Sequence, residues 1–430
     1  MLKRIRNHAA GIDIGARAVY VAVEGQPVVS YGTFTSDFSA LCAYLKEHHI
    51  STVAMEATGV YWVVLYDMLV QQGLDVWLID GRQTRQVPGR KTDVKDCQWI
   101  QQLHSYGLFN RCMVAEGLIR ELRSCQRLRQ DHIRSAAMHV NHMQKALTEM
   151  NIRLPEVLSQ VQGSSGMKII EAMLAGERDP QKLLALCHKR IREGKGEQVL
   201  KALEGHYTPA GLFALGQAYQ AYHFYQQQIT ACDKELEAVL QRLNQAKQEP
   251  EEKQPRKPVR HHKPAVAGLG RHLLMAFDGK DATVLSGITD YSWLQLLSET
   301  GQDLTKWASE KHFTSWLGLS PGQNNSGKKK RSTSKARPRA GEIFRQIAQS
   351  LLNSKNIALG AFARRLRARK GAPVAVKATA RKLAEQYWRL MVKGSEFVER
   401  GIEHYQQQLI LQKQKYLHRL ANELKVEISS

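Results

Sequence analysis

No stretch of this chain is apolar over the roughly 18 residues that a membrane-spanning helix needs, and the opening Met-Leu-Lys-Arg-Ile-Arg has none of the apolar core of a signal peptide. Cysteine is scarce too. The six thiols, at positions 42, 97, 112, 125, 187 and 232, form no Cys-x-x-Cys pair and no Cys/His zinc spacing. That excludes a disulfide framework and a structural zinc, and leaves the expectation of reduced thiols in a cytoplasmic protein. Acid is the third shortage: 40 Asp plus Glu stand against 62 Lys plus Arg, a formal charge of +22. The deficit is sharpest between Lys328 and Lys393, where 19 Lys plus Arg face only Glu342 and Glu385. A surplus of that size calls for a polyanionic partner, and nucleic acid is the commonest one for a chain with no membrane segment. There is no repeat array or low-complexity tract. What remains, 430 residues of which 43% are hydrophobic, is enough for real cores in two or three domains.

Three short runs rich in β-branched or apolar residues, 8–15, 19–24 and 27–33, read as strands separated by glycine-containing turns. Ser36 and Asp37 are placed to cap a helix ending near residue 48. A strand over 52–56, a helix over 60–72, a strand over 75–80 and a helix capped by Thr92 and running to about residue 106 complete a β-β-β-α-β-α-β-α order. That order predicts a mixed sheet with helices on its faces. Residues 118–150 and 215–243 then repeat apolar residues every seven positions. The second run places Leu215, Tyr222, Ile229, Leu236 and Leu243 on one heptad position, with Ala218, Tyr225, Cys232 and Val239 on the other. Such a seam serves equally for two helices packing inside one chain or for a dimer. Residues 247–264 hold four prolines and almost nothing apolar, which reads as a linker. Beyond it helices are expected over 282–286, 291–300, 308–317, 341–352, 359–369, 373–392 and 395–424. The expected division is 1–112 as a mixed α/β catalytic domain, 113–246 as a helical coiled-coil segment, 247–264 as linker, 265–394 as a mostly α domain with a basic surface, and 395–430 as a final helix.

Four acids fall where this order brings chain ends together. Asp13 closes the first strand in Gly-Ile-Asp-Ile-Gly, Glu56 closes the fourth in Met-Glu-Ala-Thr-Gly, and Asp93 and Asp96 sit three apart at the start of a helix. Carboxylates gathered in this way repel one another unless cations lie between them, and such a set suits a pair of magnesium ions. Individually the acids have plainer readings. Gly-Ile-Asp-Ile-Gly also opens sugar kinases and actin-like ATPases, Glu56 could be a surface residue, and Asp93 would favour a helix N-terminus electrostatically in any protein.

A second constellation lies in the basic stretch. Trp316-Leu-Gly-Leu-Ser-Pro-Gly-Gln-Asn-Asn-Ser-Gly runs from an apolar helix end into a polar loop, where Ser326 is followed by Gly327 and the cations Lys328, Lys329, Lys330 and Arg331. A serine hydroxyl needs activation to attack, and neighbouring cations could neutralise a scissile phosphate. On the residues alone, the plainer reading is a turn whose lysines touch phosphate, with Ser320, Ser332 and Ser334 as rival serines. Leu285-Ser-Gly-Ile-Thr289 resembles the turn of a helix-hairpin-helix, whose backbone amides contact phosphate. Arg364, Arg365, Arg367, Arg369 and Lys370 share one helix with few acids nearby, which suggests a phosphate track.

These motifs together resemble the DEDD-type insertion-sequence transposases of the bridge-RNA-guided recombinase family. The similarity rests on Gly-Ile-Asp-Ile-Gly, Met-Glu-Ala-Thr-Gly-Val-Tyr-Trp, Gly-Arg-Lys-Thr-Asp-Val-Lys-Asp and the segment that ends at Ser326-Gly327, and it covers nearly the whole chain. It implies a RuvC-like ribonuclease-H fold at the N-terminus, a coiled-coil dimerisation segment and a C-terminal transposase domain. Asp13, Glu56, Asp93 and Asp96 become ligands of Mg2+, or of Mn2+ in its place, and Ser326 becomes a nucleophile that links covalently to DNA. The implied partners are donor and target DNA, a non-coding bridge RNA that guides the reaction, and further copies of the chain, as dimers that assemble into a tetramer. The implied location is cytoplasmic, at the nucleoid when active. Three other readings compete: a RuvC-like junction-resolving endonuclease, which needs the acids and no serine; a non-catalytic nucleic-acid-binding protein; and an actin-like ATPase, for which no second phosphate loop is present.

Overall fold

The computed structural model describes residues 3–84, 93–248, 250, 257–321, 338–354, 357–394 and 402–424. The chain divides into two compact units, Met1–Val114 and Ala115–Ser430.

The first unit follows the expected order: β1 (Ala9–Ile14), β2 (Val19–Val23), β3 (Val29–Tyr31), α1 (Thr35–Glu47), β4 (Thr52–Glu56), α2 (Trp62–Gln71), β5 (Asp75–Ile79) and α3 (Asp93–Ser105). The sheet order is β3-β2-β1-β4-β5. β1 runs antiparallel to β2 and parallel to β4, and β4 runs parallel to β5. This mixed sheet is consistent with a ribonuclease-H-like domain. Strand alternation sends Ile12, Ile14, Val21, Val53, Met55, Val76 and Leu78 to one face, where they meet Phe38, Leu41 and Leu45 of α1 and Leu65, Tyr66 and Leu69 of α2. The opposite face carries Ala54 and Ile79 against Ile100 of α3. Asp37 is the third residue of α1 and caps it from inside the first turn, its Oδ2 accepting from the Phe34 amide at 3.0 Å.

The second unit is helical. It opens with α4 (Gly117–Glu149), α5 (Leu154–Val157), α6 (Ser164–Leu174), α7 (Pro180–Ala185), α8 (Lys189–Leu203) and α9 (Pro209–Asn244). α10 (Leu269–Ala276), α11 (Asp290–Thr300), α12 (Glu310–Trp316), α13 (Arg339–Leu351), α14 (Ala358–Lys370), α15 (Ala372–Lys393) and α16 (Ile402–Leu424) follow. α4 and α9 pack on each other along part of the heptad seam. α4 and α9 lie antiparallel, with Arg129 bonded to Asp233 near one end and Leu147 packed with Leu215 in the core of the other. Leu215, Ala218, Cys232, Leu236 and Val239 are buried, whereas Tyr222, Tyr225, Ile229 and Leu243 are only partly so. α5 to α8, which the heptad reading passed over, wrap the Leu147–Leu215 end of this pair.

Residues 247–264 lie within the second unit, and their described part is tied to it. Lys247 Nζ donates to Ala276 O at 3.0 Å, Lys257 Nζ donates to Leu285 O at 2.6 Å, and His262 O accepts from Arg129 Nη2 at 3.1 Å. Lys247 and Lys257, which the sequence offers to water, thus reach backbone carbonyls. None of the described helices is long and apolar enough to cross a membrane.

Candidate functional site

The carboxylate site is built by the way α3 lies on β1. Gly11 makes that possible: a Cβ there would stand 2.3 Å from Gln101 N and 2.4 Å from Cys97 O, so any side chain would push the helix off the strand. Gln101 Nε2 also donates to Ala9 O at 3.3 Å. Moving back along α3 from Gln101 to Cys97 to Asp93 therefore follows β1 from Ala9 to Gly11 to Asp13. Four helical residues and two strand residues both advance by about 6 Å, which is why the two periodicities stay in step. Asp13 shares the α3 face of the sheet with Gly11, two residues before it.

The result is that Asp13, Asp93 and Asp96 place carboxylate oxygens within 4.8 Å of one another, with Asp13 and Asp96 half-buried and Asp93 exposed. Cys97, directly behind them, is buried and its thiol is pushed up to about 12, first by burial and next by the negative charge of Asp13. It stays protonated and donates to Val94 O at 3.1 Å. Oxygen donors alone, at this spacing, fit a hard divalent cation such as magnesium and suit a soft metal poorly.

Glu56 is the fourth expected acid, and it lies outside this trio. β1 and β4 are paired as far as Ile12 with Met55, so Glu56 follows at the same level as Asp13. Its carboxylate turns toward the end of β5. There Oε2 accepts from Thr84 Oγ1 at 3.1 Å, and Oε1 lies over Gly81 so closely that a Cβ on that residue would stand 2.2 Å away. Sequence reasoning passed over Gly11, Gly81 and Thr84. A glycine inside a strand was a legible sign of close approach at Gly11; nothing in the sequence marks Thr84.

Ser326, Lys328, Lys329, Lys330 and Arg331 lie outside the described residues, as do Ser332, Ser334 and the expected cap Thr92. The described chain on either side of 322–337 is firmly held. A Cβ on Gly341 would stand 2.1 Å from Leu317 O, so the first turn of α13 lies against the end of α12, and Arg345 Nη2 donates to Gly318 O at 3.3 Å. Gly287, in the turn before α11, has φ +81°, and Thr289 caps α11 through Ser292. On α14, Arg365, Arg367, Arg369 and Lys370 carry their charge at the surface, whereas Arg364 has its guanidinium bonded to Ser354 O. Arg365 and Arg369 share a face four residues apart; Arg367 points elsewhere.

Two family models match the chain. One, a transposase model of the IS110 type with a DEDD domain, matches residues 10–152, from β1 through α4. The other, of the IS116/IS110/IS902 transposase family, matches residues 282–363, a span that contains Ser326. No curated protein matches the chain. A DEDD transposase domain points to a divalent metal ion, in agreement with the donor set described above. The chain thus carries the two transposase domains of the IS110 family, which mark it as an enzyme that cuts and rejoins DNA.

Proposed function

We propose that the chain mobilises an insertion sequence by a two-part active site, with Asp13, Glu56, Asp93 and Asp96 holding magnesium and Ser326 attacking DNA. The observation that carries this reading is the trio of carboxylates within 4.8 Å, set by strand and helix in a chain that bears both family domains. Bound there, a divalent ion would stabilise the negative charge that develops on a phosphodiester as it is cleaved. Ser326 Oγ forms the new bond to phosphorus, the bond to the leaving strand breaks, and that strand departs with its oxygen. One DNA end stays on the protein as a serine phosphodiester. Lys328 to Arg331 sit beside the serine in sequence and supply positive charge to that phosphate. In this reading residues 1–112 are the RuvC-like domain, 265–394 bear the serine, and a bridge RNA selects donor and target DNA. The chain would work as an oligomer.

The test is a supercoiled DNA substrate carrying the element's ends, incubated with the full-length protein, its co-purifying RNA and Mg2+. Ser326→Ala is expected to abolish both strand exchange and the covalent protein–DNA adduct that survives denaturation. Asp13→Asn is expected to abolish both as well. If Ser326→Ala keeps cutting at the wild-type rate, the chain is a junction-resolving nuclease of the RuvC kind, and the serine has no part in the chemistry.

A further inference from the structure

The turn after β5 is organised around one carboxylate. Asp80, Gly81, Arg82, Gln83 and Thr84 form a tight turn in which Gln83 N donates to Asp80 O at 2.8 Å and Arg82 N donates to Asp80 Oδ1 at 3.0 Å. The Arg82 guanidinium closes back on the same Asp80 carboxylate. Gln83 fixes the turn to the chain beyond α3 by a reciprocal pair: its Nε2 donates to Asn110 O at 3.0 Å, and its Oε1 accepts from Asn110 N at 2.8 Å. Cys112 N donates to Leu78 O at 2.7 Å, so Asn110 is itself held against the sheet. The turn is therefore restrained at its start and across its middle. What it presents is Thr84 Oγ1, whose one proton is shared between Glu56 Oε2 at 3.1 Å and Gly81 O at 2.9 Å, together with the bare Cα of Gly81 under Glu56 Oε1.

We propose that Thr84, with Gly81, is the positioning residue for Glu56: the hydroxyl holds one carboxylate oxygen and the missing Cβ makes room for the other, so that Glu56 is already ordered, one strand over from Asp13, when a divalent cation binds. The proposal rests on the reading of Glu56 as a metal ligand. A glutamate side chain has three rotatable bonds, and ordering it only when the metal arrives would weaken binding; a hydrogen bond from a fixed turn removes that cost beforehand. Neither residue touches the cation in this scheme. Loss of the hydroxyl should weaken metal binding and leave the saturated rate nearly intact.

Mn2+ binding to the full-length protein, measured by electron paramagnetic resonance of the free ion, tests the assignment without reference to activity. Thr84→Val, which keeps the shape and removes the hydroxyl, is expected to weaken Mn2+ binding by roughly 10-fold, and Thr84→Ser is expected to restore it. Gly81→Ala is expected to weaken it at least as much, because the new Cβ falls on the carboxylate. In the cleavage assay, Thr84→Val should raise the Mg2+ concentration needed for half-maximal rate by a similar factor, with the maximal rate changed less than twofold. Melting temperatures in metal-free buffer separate a damaged fold from a damaged site. If Glu56→Gln weakens Mn2+ binding while Thr84→Val does not, the positioning role is wrong and the ligand reading stands. If Thr84→Ser is as impaired as Thr84→Val, the hydroxyl is not what matters, and the proposal is overturned. If Glu56→Gln binds Mn2+ with wild-type affinity, the ligand reading itself fails, and the role of Thr84 fails with it.

Discussion

Single residues decide how the first unit responds to acid. His104 of α3 is fully buried; its Nε2 lies 2.8 Å from Thr52 Oγ1, whose own hydroxyl donates to Asp75 O at 3.0 Å. Held against this hydroxyl and cut off from water, the imidazole is kept neutral by burial. Burial, and next the charge of Arg6, lower its pKa from 6.5 to about 4. Between those two values the unfolded chain binds a proton that the folded chain refuses. Stability contributed by the neutral ring is therefore complete above about pH 6.5 and declines as pH falls toward about 4. At about 1.4 kcal/mol per unit, the loss over that window is up to ~3 kcal/mol. Hydrogen exchange of β4 and β5 peptides, corrected for intrinsic rates, should show protection falling through this window in the wild type and much less in His104→Gln. Equal pH dependence in the two proteins would rule the ring out as the cause.

At the scale of elements, the α4–α9 pair is tied by a buried ion pair as well as by its apolar seam. Arg129 Nε donates to Asp233 Oδ1 at 2.6 Å, and the two side chains are 1% and 4% exposed. Their remaining groups are occupied too: Arg129 Nη1 reaches Tyr291 Oη at 3.2 Å, and Asp233 Oδ2 accepts from Ala265 N at 3.0 Å. The pair therefore joins both helices to the segment before α10 and to α11. Asp233→Leu would strand a buried guanidinium, at a cost of about 3–5 kcal/mol. The double substitution Arg129→Met, Asp233→Leu should recover most of that loss, since it removes both charges and refills the volume. Urea unfolding of the two variants and of Arg129→Met alone measures the coupling; strictly additive losses would mean the charges act independently.

The same helices show where sequence periodicity stops. Heptads at Leu215, Tyr222, Ile229 and Leu236 were legible because burial on one helical face imposes that spacing. What covers the face was not legible, because an antiparallel neighbour in the same chain and a second copy ask for the same residues. In the first unit, the strand and helix order and the approach of Asp13 to Asp93 and Asp96 followed from local pattern plus the rule that parallel strands need helical crossovers. The turn that holds Glu56 did not, since Thr84 is 28 residues from Glu56 and no local periodicity links them.

Over the whole molecule, charge dominates. With +22 overall and the excess concentrated in the C-terminal region, DNA affinity should fall steeply as salt rises. Replacing Arg365, Arg367, Arg369 and Lys370 of α14 with alanine should flatten the plot of log affinity against log salt by roughly 0.7–0.9 for each phosphate that the protein no longer neutralises. Arg364→Ala should leave that slope nearly unchanged and lower the melting temperature, because its guanidinium serves Ser354 O inside the fold. Fluorescence anisotropy across a salt series distinguishes the two; an unchanged slope in the fourfold variant would show that α14 does not track the phosphates.

Read alone, the sequence pointed to a polyanionic partner, gave the order of elements in the first unit and nominated four acids, because charge, local hydrophobic period and short motifs are written in neighbouring residues. Only the tertiary structure decided that three acids converge while Glu56 is held by a separate turn, that α4 and α9 pair antiparallel along part of the heptad seam, and that Arg364 is bonded into the fold while its neighbours face water. Those outcomes depend on which surfaces meet across long stretches of chain, and on whether a polar group finds a partner there before it finds water.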